Sequence, residues 1–452
     1  MVKRSLRVRP GVEVIPGRRL AGAGSATCFG ILIVKWTDGA HRSKWANDLQ
    51  GNLPPVLPKN PEGAVWGNIV WARSTSRDLV NWTPQKVAIY PSQPSDINGA
   101  WSGSATILRN GTPTILYTGI NSLNQQVQNL AMPKNPSDPY LLEWKKSSKN
   151  PVMSPNPENQ IDPGSFRDPS TAWLGADGRW KVIIGSKNDI KGFAILYSSE
   201  DFVHWIKAND PLHSATDTGM RACVDFFPVS VNSTVGVDLP TFGPDVNAKN
   251  RRLLWAWLNE SSSVSDDIKK GWAGIQAVPR AVWLDKSGKQ LVQWPIKEIE
   301  MLRMNPVHLP SQDLKEGYAL EVPSVTAAQA SHYGSEIGFL LIVINQIILH
   351  PLIDVEITFK VSDFGNVEML DPSWTKPQLL CNQKGTSVRG SLEIDRSVVE
   401  RLGGQGKSCI SARVYPTLAI NEAAHLYAFN NGSESVTITR LSAWSMKKAR
   451  IN

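Results

Sequence analysis

The residues best suited to chemistry are carboxylates beside an arginine and indoles beside small hydroxyls. Phe166-Arg167-Asp168-Pro169 precedes the strand-like Ser170–Leu174. That places Asp168 at the entrance of a strand, where Arg167 is expected to keep its carboxylate ionised by charge pairing. Taken alone, Arg-Asp-Pro reads as an Asx-turn with a surface salt bridge. Trp101 and Ser102, in Asp96-Ile-Asn-Gly-Ala-Trp101-Ser102-Gly103-Ser104, pair an apolar stacking surface with a hydroxyl. Trp66, in Val65-Trp66-Gly67-Asn68, offers another wall, although a lone Trp is more often core than platform. Asp48, in Trp45-Ala46-Asn47-Asp48, is a further carboxylate whose plain reading is a loop aspartate. Metal catalysis has no support: the seven His include no His-x-x-x-His pair, and Cys28, Cys223, Cys381 and Cys409 are too scattered for a zinc site. A bridge between Cys381 and Cys409 is conceivable in an oxidising compartment. Gly403–Ser408 imitates a phosphate-binding loop, but Arg401 stands where its first Gly is required.

The stretch Thr218–Val229 resembles the segment that carries the general acid/base in family 32 of the glycoside hydrolases, the plant invertases and fructan exohydrolases. Gly219, Met220, Cys223, Asp225, Phe226 and Phe227 match. The family's Trp is Arg221 and its catalytic Glu is Ala222. An alanine cannot donate a proton. The Arg-Asp-Pro motif is similar to the family's own, whose Asp binds fructose hydroxyls and stabilises the transition state, so the resemblance gives that role to Asp168. It likewise implies substrate contacts for Trp66, Asn68, Trp101, Ser102, Arg167 and Asp225. Asp48 is the only positional match to the nucleophile; the Pro and second Asn of that motif are lost. The activity implied is retaining double displacement at terminal β-fructofuranosyl bonds of sucrose or fructans, which needs two carboxyl groups about 5 Å apart. No cofactor or metal is implied. The partners implied are sucrose or fructan, with an acidic cell-wall polysaccharide as a further one and neither nucleic acid nor a membrane span. The location implied is the cell wall or vacuole.

The elements that must hold these residues are short strands. Gly67–Ala72, Ser104–Leu108, Thr112–Thr118 and Trp180–Gly185 alternate with turn clusters, and few stretches show a helical period. Asp78-Leu-Val-Asn-Trp82, Asp138-Pro-Tyr-Leu-Leu-Glu-Trp144 and Asp201-Phe-Val-His-Trp205 echo one another, their Trp positions stepping by 62 and 61 residues. A fixed period with several strands per unit is what a β-propeller produces. Leu253–Trp257, Ala281–Leu284 and Leu291–Trp294 add strands, and Lys297–Arg303 reads as a short helix. Beyond about residue 320 longer alternating strands, among them Val355–Phe364, Ser408–Tyr415 and His425–Phe429, read as an antiparallel sandwich. The pattern reads as all-β, and the resemblance implies a five-bladed β-propeller, incomplete here, followed by a C-terminal β-sandwich. The organisation expected is a basic leader at 1–44, a propeller glycosidase domain at 45–303, a linker at 304–330 and a sandwich at 331–452. A chain of 452 residues is long enough for two cores.

Residues 1–50 hold nine Lys/Arg against three acids, +6 of the total +8. Such an arm suits contact with an acidic polymer, the plainer reading being a solvated leader. No clean signal peptide opens the chain, because Arg7, Arg9, Arg18 and Arg19 interrupt the region that should be apolar. The apolar run Ile337–Ile353 is too broken for a membrane span. Sequons at Asn81, Asn110, Asn232, Asn259 and Asn431 fit a secreted history.

Departures from the family come in blocks. Between Val231 and Leu254 part of the fourth blade is missing, Ser331–Ile353 resembles nothing in the family, and Gly390-Ser391 jumps over several strands. Altered splicing or skipped exons explain such edges; Arg221 and Ala222, inside a matched block, are substitutions. The readings left open are an impaired family enzyme, a non-catalytic sugar-binding or regulatory homologue, and a product that does not fold because lost strands expose edges.

Overall fold

A computed structural model describes residues 69–76, 78–138, 140–156, 158–227, 252–258 and 275–326. It also describes 33–37, 43–46, 340–344, 352–361, 368–369, 378–379, 387–395, 398–403, 406–413, 425–429, 435–447 and 449–450. Residues 1–276 with 286–289 and 450–452 form one compact unit, and 277–285 with 290–449 a second. Strands dominate both.

In the first unit, β1 (Ile33–Thr37) and β2 (Ser43–Ala46) pair antiparallel, and β1 runs parallel to β3 (Trp71–Ser76), which pairs with β4 (Trp82–Ile89). The expected leader at 1–44 thus contains strand. A second sheet is the meander β5 (Ala100–Ile107), β6 (Pro113–Ile120), β7 (Gln126–Pro133) and β8 (Trp144–Lys146). A third has β11 (Trp180–Asn188) paired with β9 (Phe166–Arg167), β10 (Trp173–Leu174) and β12 (Lys191–Ser199), and β12 with β13 (Ile206–Lys207) and β14 (His213–Ala215). The remaining strands of this unit are β15 (Arg252–Leu254), β16 (Trp257–Leu258) and β17 (Ile275–Gln276).

Consecutive sheets pack face to face. Trp71 and Ile89 of the first meet Ala100, Ile115 and Tyr117 of the second. Leu116 and Leu130 of the second meet Phe166, Val182, Ile184 and Ile195 of the third. Burial of these side chains is worth roughly 1.5–3 kcal/mol each, and successive meanders stacked this way are what a propeller requires. β3 begins at Trp71, later than the pattern of Gly67–Ala72 suggests. Its polar residues Arg73, Ser74 and Ser76 are buried, because Arg73 donates to the carbonyls of Tyr140 (2.8 Å) and Leu141.

The sequence echo marks one recurring turn. The Oδ1 of Asp78 accepts the N–H of Val80 (2.9 Å) and Asn81 (2.7 Å), with Leu79 at φ 64. The Oδ1 of Asp201 accepts the N–H of Val203 (2.9 Å) and His204 (2.8 Å), with Phe202 at φ 67. Asp138 accepts from Tyr140 and Leu142, with Leu141 at φ 44. Each aspartate tethers a left-handed apolar residue and directs the chain into a strand that begins at, or just after, the Trp. Burial raises the Asp201 pKa, but the N–H and imidazole of His204 and the N–H of Val203 carry it well below the carboxylate range.

The second unit holds the hairpin β18 (Arg280–Leu284) and β19 (Leu291–Pro295), then a 3-10 helix, Lys297–Leu302, where a short helix was expected. β20 (Arg303–Leu309) and β21 (Gln312–Leu314) pair with the C-terminal strand, and β22 (Ala319–Thr326) pairs with a strand near residue 427. Within the stretch expected as linker, residues 304–326 are largely strand: Pro306 and Pro310 give it loop-like composition, but each strand has a pairing partner. The next strands are β23 (Leu340–Ile344), β24 (Leu352–Val361), β25 (Glu368–Met369) and β26 (Gln378–Leu379). They are followed by β27 (Ser387–Asp395), β28 (Val398–Gly403), β29 (Ser408–Arg413), β30 (His425–Phe429) and β31 (Val436–Met446). The larger sheet runs β20-β31-β24-β27-β28-β29, with β21 also on β31; a smaller one runs β22-β30-β23. β24 starts just after Pro351, three residues earlier than expected. Part of the apolar run at 337–353 becomes β23, and among the described residues no helix is long and apolar enough to cross a membrane. Cys409 is a free thiol, so the conceivable bridge to Cys381 is not formed.

Candidate active site

Asp168 leaves β9 in the left-handed region, at φ 63, a conformation that costs a non-glycine residue about 1–3 kcal/mol. Its backbone N–H donates to Thr118 Oγ1 on β6 (2.9 Å), that hydroxyl donates to Gln128 Oε1 on β7 (3.1 Å), and Gln128 Nε2 returns to the carbonyl of Phe166 (2.7 Å). Gln126 accepts the Phe166 N–H at 2.8 Å and donates to Gly164 O at 2.8 Å. The second sheet therefore holds the start of the third. Sequence reasoning missed Thr118, Gln126 and Gln128; the only signal was polar residues at buried positions of β6 and β7.

The carboxylate itself is reached by the Thr218–Phe227 segment. Cys223, also left-handed at φ 50, donates its N–H to Asp168 Oδ2 at 2.9 Å. This segment crosses the face of the third sheet at two glycines. A Cβ at Gly185 would lie 1.7 Å from the Arg221 carbonyl oxygen, and one at Gly192 would lie 2.5 Å from that of Gly219. Val224 and Phe226 anchor its far end against Trp173, Ile183 and Ala194, the Phe226 and Trp173 rings 4.6 Å apart. Ala222 thus sits next to the residue that binds Asp168.

Burial pushes the Asp168 carboxyl up to about 6, against the opposing pull of Arg167 (Nε to Oδ2, 3.7 Å) and the Cys223 N–H. Arg167 does not outweigh burial, as charge pairing alone would have it. In the unfolded chain the carboxyl titrates at 3.8, so the native state holds an extra proton between these values. The penalty is absent below about pH 4 and complete above about pH 6, worth ~3 kcal/mol. We therefore expect stability to fall as pH rises through this window and Asp168→Asn to remove that slope, read by denaturant unfolding at a series of pH values.

Trp101 and Ser102 lie in a bulge of β5: Ala100 faces Gly119 and Gly103 faces Tyr117, so the two residues share the position opposite Thr118. Trp101 is half-buried and Ser102 buried. The Trp71 indole donates to the Trp101 carbonyl at 2.8 Å. The loop before them is pinned by buried Asp96, which accepts from Tyr117 Oη (2.7 Å), the N–H groups of Ser92 and Gln93, and Lys146. The structure therefore brings Arg167, Asp168 and the Ala222–Cys223 backbone together, and sets Trp101 and Ser102 opposite Thr118, whose hydroxyl accepts the Asp168 N–H. Asp225 is exposed, its Oδ1 accepting the N–H of Phe226. Asp48, Trp66 and Asn68 lie outside the described residues. No group of three metal-binding side chains occurs among the described residues.

The model for the N-terminal domain of glycosyl hydrolases family 32 matches residues 58–245 and 241–295, and the model for the family's C-terminal domain matches 381–445. The chain belongs to glycoside hydrolase family 32. An insoluble isoenzyme of β-fructofuranosidase from Arabidopsis thaliana is 41% identical to this family member, over 90% of this chain and 89% of the relative. A fructan 6-exohydrolase from Beta vulgaris is also 41% identical, over 90% and 86%. Among solved structures, fructan 1-exohydrolase IIa from Cichorium intybus aligns over 98% of both chains with a TM-score of 0.72 and 33% identity. The same enzyme as a Glu-to-Gln variant bound to 1-kestose gives a TM-score of 0.70 at 36% identity, over 86% of this chain and 92% of that one. The architecture is the family's five-bladed propeller followed by a β-sandwich.

The comparisons also carry the mark of the block-like departures. The N-terminal match is in two pieces that meet at 241–245. The Arabidopsis alignment spans 548 positions, whereas 90% of 452 residues is about 407, so about 140 positions face no residue of this chain.

Proposed function

We propose that this family 32 member binds β-fructofuranosides of the sucrose or fructan type at Asp168 and is impaired in hydrolysing them. The observation behind this reading is Ala222, a methyl group adjacent to the Cys223 N–H that binds Asp168. The stabilising carboxylate is held and raised in pKa; the proton donor beside it is gone. Without general acid catalysis, departure of a sugar alkoxide loses roughly 10²–10⁴-fold in rate. The kinship to β-fructofuranosidases and fructan exohydrolases supports the substrate class, and that to a cell-wall isozyme from Pisum sativum, 43% identical, supports a place in the cell wall. Asp48 remains the nucleophile in this proposal. The residues 45–303 would carry the reaction and the sandwich would support it.

A leaving group that needs no proton tests this. An aryl β-fructofuranoside should be cleaved with little of the deficit seen on sucrose, measured as phenol and glucose release by the same preparation. Equal deficits on both would place the defect elsewhere than the proton transfer.

A further inference from the structure

One strand, β6, touches both parts of the candidate site. It is an interior strand, paired with β5 on one side and β7 on the other, and its successive residues face opposite sides. Tyr117 and Gly119 face the loop that leads into Trp101. The Tyr117 hydroxyl donates to buried Asp96 at 2.7 Å. A Cβ at Gly119 would lie 2.2 Å from both the Ser95 carbonyl oxygen and Asn129 Nδ2, which donates to that carbonyl at 3.3 Å, so only glycine lets the loop seat there. Thr118, between them, faces the third sheet, where its hydroxyl accepts the Asp168 N–H. Trp101 and Ser102 bulge from β5 opposite the same Thr118. Tyr117 and Thr118 are fully buried, so neither can be reached by a ligand.

We propose that Tyr117, Thr118 and Gly119 are the positioning residues of this site, setting the Trp101–Ser102 platform from one face of β6 and Asp168 from the other, so that the two are placed by one rigid strand. Asp168 needs such a hold, because its left-handed backbone is disfavoured for a residue other than glycine. Without the Thr118 hydroxyl its N–H loses a buried acceptor, the backbone relaxes, and the carboxylate turns away from the Cys223 N–H. Without the Tyr117 hydroxyl, Asp96 loses a donor and the loop before Trp101 loosens. The role in sugar binding rests on the fructofuranoside reading above; the hold on Asp168 does not.

Thr118→Val keeps the side chain's size and removes its hydroxyl, whereas Thr118→Ser keeps the hydroxyl. Calorimetry on the full chain with 1-kestose should show affinity about tenfold weaker in Thr118→Val and restored in Thr118→Ser. Adding Thr118→Val to Asp168→Ala should cost nothing further, because the threonine acts through the aspartate. Tyr117→Phe should weaken binding several-fold, an effect absent in a Trp101→Ala background, and it serves if Thr118→Val does not fold. Hydrogen exchange of the Asp168 amide needs no sugar: it should be slow in the parent and in Thr118→Ser, and fast in Thr118→Val. Unchanged exchange in a folded Thr118→Val overturns the hold on Asp168. Faster exchange with unaltered affinity, or a loss that persists in full without the Asp168 carboxylate, overturns the positioning role. A parent that does not bind 1-kestose defeats the fructofuranoside reading, and the exchange measurement still decides whether Thr118 holds Asp168.

Discussion

A chain carrying Ala222→Glu and Arg221→Trp is expected to hydrolyse sucrose about 10²–10⁴-fold faster than the chain as it stands, the range a positioned general acid/base supplies. The argument is local. The Thr218–Phe227 segment is already anchored by Gly185, Gly192 and the Trp173 cluster, and the N–H of Cys223 already fixes its distance from Asp168. A glutamate at 222 therefore enters a backbone that needs no rebuilding. The rescue requires Asp48 to act as nucleophile, because retention takes two carboxyl groups. Glucose release by the purified double variant checks it, alongside cooperative unfolding to show that it is folded. A folded double variant with no gain would mean that the nucleophile is not in place, and hydrolysis would fall away as a reading of this product.

Much of this site was legible in the sequence because its residues stand in contiguous motifs. Asp168 and Arg167 are neighbours in Arg-Asp-Pro, and Trp101 and Ser102 lie in one strand start. The aspartate echo also survived translation into structure, since Asp78, Asp138 and Asp201 each make a turn whose hydrogen bonds stay within four residues. What remained hidden is non-local. Thr118 and Gln128 support Asp168 from the neighbouring sheet, 50 residues away for Thr118. No spacing rule marks such a pair. The raised pKa of Asp168 is hidden for a related reason: the sequence displays the charge of Arg167 but not the burial that opposes it. In the same way, nothing local in 304–326 announces strand; the pairing with β30 and β31 is what makes it so.

The second large effect is expected at Asp168 itself. Fructose hydroxyls donating to a buried carboxylate are charge-assisted hydrogen bonds worth about 1.5–3 kcal/mol each, so Asp168→Ala should weaken 1-kestose binding about 10- to 100-fold. Removing the raised carboxyl also removes its burial penalty, and the variant should therefore be no less stable than the parent at pH 7 if the Cys223 N–H finds water. Weakened binding in a protein of undiminished stability would separate a ligand role from a structural one.

Calorimetric titration of the chain and of Asp168→Ala with 1-kestose, with the cell contents then assayed for free fructose, tests the central claim most directly. The account predicts saturable binding by the chain, little or no fructose formed, and binding weakened about 10- to 100-fold in the variant. Fructose release by the unaltered chain at the rate of an active relative, or binding indifferent to Asp168, would contradict it.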